Sequence, residues 1–289
     1  MLTTATTNPL VFAPSRTADL AGSCWNLYLV GCGGTGSWLA HHLARLYATK
    51  RVATERIHSV ILIDNDIVEK RNLGRQLFSP GDLGKPKAEV LARRYNAIYG
   101  TSFAYAVHRI TKKDIGSDGL IPASRFNRPS LILGAVDNGP TRRVIHEAIT
   151  DPQNRSGRAT IYWLDTGNWA ERGQVIWGNS ANLEEIHATT QAVGVCEFLP
   201  YPTLVFPELM IKESERTGGC AVLQETNQQS LNINAFVALA AIEMLVNFLE
   251  GTLSTHYVFV DLKHLEMSRQ PITPAYVANL LAERSNHKY

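Results

Sequence analysis

The glycines between residues 31 and 36 constrain the fold of this chain more than any other feature. In the run "LVGCGGTGSW" (29–38), strand-like apolar residues pass through Gly31, Gly33 and Gly36 into a helix-like stretch. This G-x-G-x-x-G spacing lets the backbone turn tightly, and the N-terminus of the following helix can present free N–H groups to a phosphate. The sequence therefore predicts a phosphate-binding turn, and a glycine-rich turn that binds nothing is the alternative.

Strand-like and helix-like segments alternate around this turn. The strand-like runs are 26–31, 59–64, 103–108, 131–137, 161–165, 174–178 and 256–262. Apolar residues with helical spacing lie between the early runs, at Leu39, Leu43, Leu46, Leu91, Tyr95 and Ile98. Such alternation predicts an α/β fold with a Rossmann-like, doubly wound, mostly parallel sheet and later mixed strands.

The whole chain, 1–289, is predicted to form a single domain in four parts. These are a nucleotide-binding core (23–178), a long irregular crossover segment (179–226), a helix with the final strand (227–262) and a tail (263–289). The crossover segment is polar, lacks clear periodicity and holds three prolines. A long irregular segment inside a compact chain is usually functional or disordered, so we expect it to contribute to the site.

Composition narrows the classes of protein that the sequence allows. The formal net charge of +2 gives no reason to expect a nucleic-acid or membrane partner. The most apolar stretch, 231–249, carries Asn and Glu residues, which favours a buried helix over a membrane span. The start of the chain lacks the pattern of a signal peptide. None of the four cysteines forms a CxxC pair, so we expect no structural zinc and a cytoplasmic location.

Acids and cations follow the second strand at a spacing that suits a triphosphate. Asp64 and Asp66 stand at the tip of this strand, where an acid usually holds ribose hydroxyls. The stretch "DNDIVEKRNLGRQLFSPGDLGKPK" then supplies Asn72, Arg75, Gln76 and Lys87. A hydride-transfer enzyme has little need for these cations, whereas a triphosphate needs its charge neutralised when pyrophosphate leaves.

The fourth strand ends in "GAVDNGPTRR", which places further charged residues near the same edge. Ligands of open α/β sheets bind in the crevice beyond the carboxyl ends of the strands, so we expect Asp137 and Arg142 to reach it. A carboxylate beside a triphosphate is a natural ligand for Mg²⁺. The sequence therefore predicts Asp137 as the metal ligand.

Four ordered motifs carry a resemblance to a known family. "GCGGTG", "DNDIVEKRNLGRQ", "GKPK" and "VDN" resemble those of the ThiF/MoeB group of adenylating enzymes, which are related to ubiquitin-activating enzymes. The resemblance extends over about residues 24–250. The glycine motif followed by "NLGRQLF" is also similar to the ThiF-related proteins of plasmid-associated PRTRC cassettes.

The resemblance implies a reaction and its residues. ATP, with Mg²⁺, would adenylate the C-terminal carboxylate of a small ubiquitin-like or sulfur-carrier protein that ends in glycine, in a homodimeric enzyme. Nucleotide binding falls to Gly31, Gly33, Gly34, Gly36, Asp64, Asp66, Asn72, Arg75, Lys87 and Asn138. The catalytic group is Arg75, Lys87, Asp137 and Cys220, with Asp137 supporting Mg²⁺ and the attacking carboxylate.

Several positions depart from the family pattern or extend it. The two zinc-binding CxxC pairs of many members are absent, and Arg71 replaces the usual serine before "NL", as either a solvated or a catalytic residue. Cys220, in "RTGGCAV", resembles the reactive cysteine that sulfur-carrier activators keep, although an incidental cysteine fits equally. Cys196 is predicted to be buried. Arg16 is the only arginine before the glycine turn; the resemblance implies that it reaches the partner subunit's ATP, and a residue of a mobile tail is the alternative.

Other functions remain open at this level. The substrate could be the carboxylate of a short peptide or of a modified tRNA, and the low net charge argues weakly against tRNA. The chain could also be a nucleotide-binding partner module without catalysis. The joint presence of Arg75, Lys87 and Asp137 argues against such a module. A nicotinamide dehydrogenase is a third reading, which binding of ATP but not NAD would exclude.

Overall fold

The computed structural model describes seven parts of the chain: 9–13, 24–49, 52–123, 128–152, 161–191, 194–211 and 230–286. Their strands are β1 (Val11–Phe12), β2 (Trp25–Val30), β3 (Ile57–Ile63), β4 (Ala104–Ala106), β5 (Ser130–Gly134), β6 (Tyr162–Asn168), β7 (Arg172–Gly178), β8 (Val195–Cys196), β9 (Thr255–Asp261) and β10 (Glu266–Pro271). Their α-helices are α1 (Gly34–Ala48), α2 (Val52–Glu55), α3 (Lys87–Tyr99), α4 (Gly139–Thr150), α5 (Leu183–Ala188), α6 (Pro202–Val205), α7 (Ile233–Leu249) and α8 (Pro274–Asn286).

One sheet organises the described parts of the chain. Its order is β10-β9-β7-β6-β5-β2-β3-β4, and the five strands from β6 to β4 are parallel to one another. Beyond β6 the pairing becomes antiparallel, from β7 through β9 to β10. The prediction of a doubly wound, mostly parallel sheet with later mixed strands is confirmed.

The strand order places a topological switch point at the centre of the sheet. β2 has β3 on one side and β5 on the other, so the connections that leave β2 and β5 diverge to opposite faces. The crevice between such connections is where open α/β sheets bind ligands. In this chain the two connections carry the glycine turn and Asp137.

Two apolar cores cover the faces of the sheet. One lies between the sheet and helices α1, α3 and α7, and the other packs α4 against the opposite face. Leu39, Leu43 and Leu46 are buried as their helical spacing predicts. Ile98 has the same helical spacing but lies in the last turn of α3 and is 62% exposed.

The segments after residue 178 are more regular than the sequence indicated. The described part of the crossover segment holds the short elements α5, β8 and α6. Within the predicted tail, 263–289, β10 pairs with β9 along the edge of the sheet and α8 follows it. The sequence analysis did not predict β10, because its residues are mostly polar and the first four are exposed.

The long apolar helix and the first strand complete the core. α7 buries most of its residues, as predicted for 231–249, and leaves one narrow side exposed at Phe236, Leu239, Glu243 and Asn247. No helix in the described ranges has both the length and the apolar character needed to span a membrane. β1 pairs in parallel with β8, and Phe12 is fully buried beside Tyr162, Trp177 and Phe248.

Candidate nucleotide-binding site

The glycine turn joins β2 to α1 and owes two of its glycines to packing. Gly31 has a φ of 95°, in the region that favours glycine. A Cβ at Gly31 would lie 2.6 Å from the carbonyl oxygen of Ala135, and a Cβ at Gly36 would lie 2.0 Å from the carbonyl oxygen of Gly31. Both contacts are with backbone atoms, which cannot rotate away. Glycine is therefore required at both positions before any ligand binds.

The other two glycines differ from each other. A Cβ at Gly33 would have the Gln76 Nε2 as its nearest neighbour, 3.7 Å away, so the space above Gly33 is open. A Cβ at Gly34 would lie 2.5 Å from the Asn234 Oδ1. The open side of Gly33, next to the N-terminus of α1, is where a phosphate can approach the backbone. Gly34 instead makes room for a side chain of α7.

Asn234 connects three elements beside the turn. Its Oδ1 accepts hydrogen bonds from the Thr35 Oγ1 (3.0 Å) and from the Asn168 Nδ2 (2.6 Å). The first turn of α1, the end of β6 and the first turn of α7 are thereby joined. The sequence analysis missed this network, because nothing local to Asn234 indicates contacts with residues so distant along the chain.

Asp64 follows the last residue of β3 and faces the glycine turn. Its Oδ2 accepts a hydrogen bond from the Cys32 backbone N–H (2.6 Å), and its Oδ1 accepts one from the Asp66 N–H (2.7 Å). Burial raises the pKa of this carboxyl, against the opposing effect of the two N–H donors and of Lys87. Each carboxylate oxygen can accept a further bond, so Asp64 remains able to hold ribose hydroxyls.

Lys87 is the first residue of α3, and its side chain points into the site. Its Nζ lies 2.9 Å from the Asp66 Oδ2, and the side chain is only 7% exposed, against 60% for Asp66. The Lys87 backbone N–H also donates to the Asp66 carbonyl (2.9 Å). A lysine buried this deeply is held in one place, while its partner carboxylate reaches solvent.

The loop after β3 carries the remaining predicted residues. Asn72 is buried in the one-turn 3₁₀ helix Lys70–Asn72, and its Oδ1 accepts from the Glu69 N–H (2.8 Å). Arg75 is exposed. Arg71 is also exposed and forms an ion pair with Glu69, as expected for a solvated loop arginine.

Gln76 brings this loop against the glycine turn. Its Oε1 is buried and has no hydrogen-bond partner among the residues that the structure describes. The Leu77 N–H donates to the Ser37 Oγ (3.2 Å), which ties the loop to the first turn of α1. A buried acceptor without a partner costs free energy, so a ligand donor beside the turn would be stabilised here.

Asp137 lies in the exposed loop between β5 and α4. Asn138 is the N-cap of α4, where its Oδ1 accepts from the Thr141 N–H (2.9 Å). The Asn138 Nδ2 donates to the Asp137 Oδ1 (3.2 Å). The cap therefore orients the neighbouring carboxylate, and the second oxygen of Asp137 is left for other contacts.

Arg142 does not reach the crevice, so that part of the prediction was wrong. Its side chain is 6% exposed, and its Nε lies 2.9 Å from the Oδ2 of the fully buried Asp165. Burial raises the pKa of the Asp165 carboxyl to about 6, although Arg142 opposes the shift. The neighbouring Arg143 is exposed and takes the outward position.

Of the four cysteines, two are buried, one is partly exposed and one lies outside the described residues. Cys32 and Cys196 are fully buried, which confirms the prediction for Cys196. Burial raises the pKa of the Cys196 thiol to about 12, so it stays protonated and unreactive. Cys24 is partly exposed. Cys220 and Arg16 both lie outside the described ranges.

The residues at this edge fit a magnesium–nucleotide triphosphate. The open space above Gly33, the orphaned Gln76 Oε1 and the buried Lys87 suit an anionic ligand with hydroxyl groups. Mg²⁺ is commonly held by one or two carboxylates together with substrate phosphates, and Asp137 can supply one carboxylate. Within the described ranges, no cluster of three or more His, Cys, Asp or Glu side chains could hold a metal ion.

Comparison with known proteins identifies the family. The model of the ThiF family matches residues 20–276, and the chain belongs to this family. It is 28% identical over 227 residues to ubiquitin-like modifier-activating enzyme 5 of Drosophila ananassae, covering 76% of this chain and 50% of that protein. It is also 28% identical over 151 residues to the NEDD8-activating enzyme E1 catalytic subunit of Saccharomyces cerevisiae, covering 52% and 46%. The chain thus spans about half the length of these curated relatives.

Solved structures share the fold at lower sequence identity. The crystal structure of E. coli MccB with ATP has a TM-score of 0.54, is 17% identical and covers 88% of this chain and 65% of that one. This likeness shows a common architecture. Membership of the PRTRC-associated subgroup stays a prediction.

Proposed function

We propose that this chain uses ATP to adenylate the C-terminal carboxylate of a small ubiquitin-like or sulfur-carrier protein that ends in glycine. The observation that carries the proposal is the meeting of four distant motifs at one edge of the sheet. Gly31 packs on Ala135, Cys32 donates to Asp64, and Lys87 pairs with Asp66. These contacts surround the switch point of the sheet, where a nucleotide binds in folds of this class.

In the proposed complex, the chain holds the nucleotide through backbone and side-chain contacts. The N–H groups at the start of α1 donate to phosphate oxygens above Gly33, and Asp64 accepts from ribose hydroxyls. Arg75, Lys87 and Asn72 contact the phosphates, and Asp137 holds Mg²⁺, which neutralises phosphate charge. Gly31, Gly36, Asp66 and Asn138 act indirectly, by shaping the turn, pairing Lys87 and orienting Asp137.

The proposed chemistry is a substitution at the α-phosphorus. An oxygen of the substrate carboxylate forms a bond to this phosphorus, and the bond to the oxygen that bridges the α- and β-phosphates breaks. Pyrophosphate leaves with that electron pair, and the product is an acyl adenylate. Lys87 and Arg75 stabilise the charge that grows on the leaving group. Asp137 keeps the two reacting groups in line.

ATP–pyrophosphate exchange tests the reaction and its substrate class. Wild-type protein should exchange label between pyrophosphate and ATP when a small carrier protein that ends in glycine is present. Short peptides and tRNA should not support this exchange. Arg75→Ala should lower the rate by about 10²–10³-fold, because a positioned cation is lost from the transition state. Exchange that depends on a peptide or on tRNA would contradict the carrier-protein substrate and assign that molecule as the substrate instead. A normal rate in Arg75→Ala would contradict its role.

A second step, thioester formation on Cys220, extends the proposal. A thiolate would attack the adenylated carbonyl carbon and release AMP. The described residues that flank 212–229, Ile211 and Ser230, support this step because both lie beside the site. A Cβ at Gly139, the first residue of α4, would lie 2.4 Å from the Ile211 carbonyl oxygen, and the Ser230 N–H donates to the Ala170 carbonyl (2.7 Å) just after β6.

A non-reducing gel distinguishes the two end points. With ATP, Mg²⁺ and carrier, wild-type protein should form a conjugate that thiols cleave. Cys220→Ala should lose this conjugate, and Cys196→Ala should keep it because the Cys196 thiol is buried and protonated. If wild type exchanges pyrophosphate without any conjugate, the adenylate is the final product.

The proposal includes a cytoplasmic homodimer. In it, Arg16 of one subunit approaches the ATP of the other, where a cation adds to the charge that Lys87 and Arg75 supply.

A further inference from the structure

A buried ion pair lies directly beneath the loop that carries Asp137. Arg142 projects from the first turns of α4 toward the sheet, and its Nε donates to the Asp165 Oδ2 on β6 at 2.9 Å. Neither side chain reaches solvent appreciably, with exposures of 6% and 0%. The adenylation chemistry proposed above does not use either residue.

The same guanidinium group fixes two backbone carbonyls. The Arg142 Nη2 donates to the Val136 carbonyl and to the Thr166 carbonyl, each at 2.7 Å. Val136 immediately precedes Asp137, and Thr166 lies on β6 next to Asp165. One side chain therefore joins the loop after β5 to the neighbouring strand.

The loop between β5 and α4 is held at its two ends by other hydrogen bonds, and the Val136 carbonyl is its point of attachment between them. At the start, the Ala135 N–H donates to the Val30 carbonyl (2.8 Å) and continues the β2–β5 ladder. At the end, Asn138 caps α4. Between these two points, the described hydrogen bond of the backbone before Asp137 is the one that Arg142 donates to the Val136 carbonyl.

We propose that Arg142 is a positioning residue that, held by Asp165, sets the location of the Asp137 carboxylate. The inference rests on the proposed function, since it assigns Asp137 to the Mg²⁺–ATP complex. It adds a residue pair that contacts neither substrate nor metal. Its effect should appear in those steps that use Asp137 and not in contacts made by the glycine turn or by Asp64.

Stability alone gives little reason for this pair. A buried ion pair can often be replaced by apolar residues of similar volume without loss of stability, because desolvation offsets the attraction. The pair also requires glycine at the end of β5, because a Cβ at Gly134 would lie 2.7 Å from the Asp165 Oδ1. An apolar pair of similar volume would fill the same space, but it could not donate hydrogen bonds to the Val136 and Thr166 carbonyls.

The test compares two alterations of the pair with a distant control. Arg142→Lys keeps a charge for Asp165 but cannot make all three hydrogen bonds. The double variant Arg142→Met, Asp165→Leu removes both charges and keeps an apolar core. Arg93→Lys alters an exposed Arg–Glu pair on α3 and serves as the matched control.

Calorimetric titration with ATP, with and without Mg²⁺, is the main readout. In both altered proteins the affinity for ATP without Mg²⁺ should match wild type. The factor by which Mg²⁺ increases that affinity should fall by about 10–100-fold, which is the usual cost of losing a residue that orients a metal ligand. In exchange assays, which contain Mg²⁺, KM for ATP should rise because that gain in affinity is lost, and kcat should fall as well. Arg93→Lys should behave as wild type in every measurement.

The outcomes separate this inference from the proposed function. If wild type shows Mg²⁺-dependent binding and exchange, and the folded double variant shows both undiminished, Arg142 has no positioning role and the proposed function stands. If wild type binds ATP no more tightly with Mg²⁺, the assignment of Asp137 fails, and this inference fails with it. If Mg²⁺ tightens ATP binding and the variants lose only that effect, the positioning role holds even where no tested carrier supports exchange.

Discussion

Lys87→Met should lower the rate of ATP–pyrophosphate exchange by about 10²–10³-fold and leave the protein folded. The substitution removes a buried cation from the site and keeps the length of the side chain. Asp66, the partner left behind, is 60% exposed and stays hydrated, so the cost in stability is small. Exchange kinetics together with a melting curve measure the two effects separately.

Lys85→Met is the matched control for this substitution. Lys85 lies two residues earlier in the same "GKPK" motif, but its side chain is exposed. Its replacement should leave both exchange and melting temperature unchanged. Comparable loss of exchange in the two variants would show that the motif contributes general positive charge. Normal exchange in Lys87→Met would remove Lys87 from the proposed mechanism.

Gly36→Ala should unfold the nucleotide turn before any ligand is involved. The added methyl would lie 2.0 Å from the Gly31 carbonyl oxygen. The Gly31 backbone is itself closely packed, because a Cβ there would meet the Ala135 carbonyl. Overpacking of this kind costs about 1–3 kcal/mol of unfolding free energy and can cost more against rigid backbone. Denaturant unfolding of the ligand-free protein measures the loss, and ATP binding should disappear with it.

Gly81→Ala provides the comparison for the glycine substitution. Gly81 is exposed, and an added Cβ there would meet only the Ser79 Oγ, at 3.9 Å. Stability and ATP binding should both match wild type. Should Gly36→Ala prove as stable as Gly81→Ala, the close packing of the turn described above would be incorrect.

The local motifs allowed the framework of the site to be predicted. The glycine turn, Asp64 at the end of β3 and Asp137 after β5 lie where strand ends place them, because parallel strands finish at one edge. Their positions depend on the order of strands and turns, which hydrophobic periodicity reveals. The roles assigned to these residues stay predictions.

The contacts between distant segments could not be predicted. In "NGPTRR" two adjacent arginines look equivalent, yet Arg142 turns toward Asp165 while Arg143 faces solvent. The difference arises because Arg142 lies on the buried face of α4, together with Ile145 and Ile149, and no short motif indicates its partner there. Asp165 itself ends a strand-like run in the sequence, although β6 continues to Asn168 and buries the carboxylate. Asn234 escaped notice for the same reason.

The packing of α1 on α7 has a consequence for how the protein is made. The apolar face of α1 is covered by a helix that the ribosome synthesises much later, and β7 likewise waits for β9. At about 5–20 residues per second, roughly 10–40 s separate the emergence of the two helices. During that interval the side of α1 that packs on α7 stays uncovered, so folding chaperones have a defined window in which to bind the nascent chain.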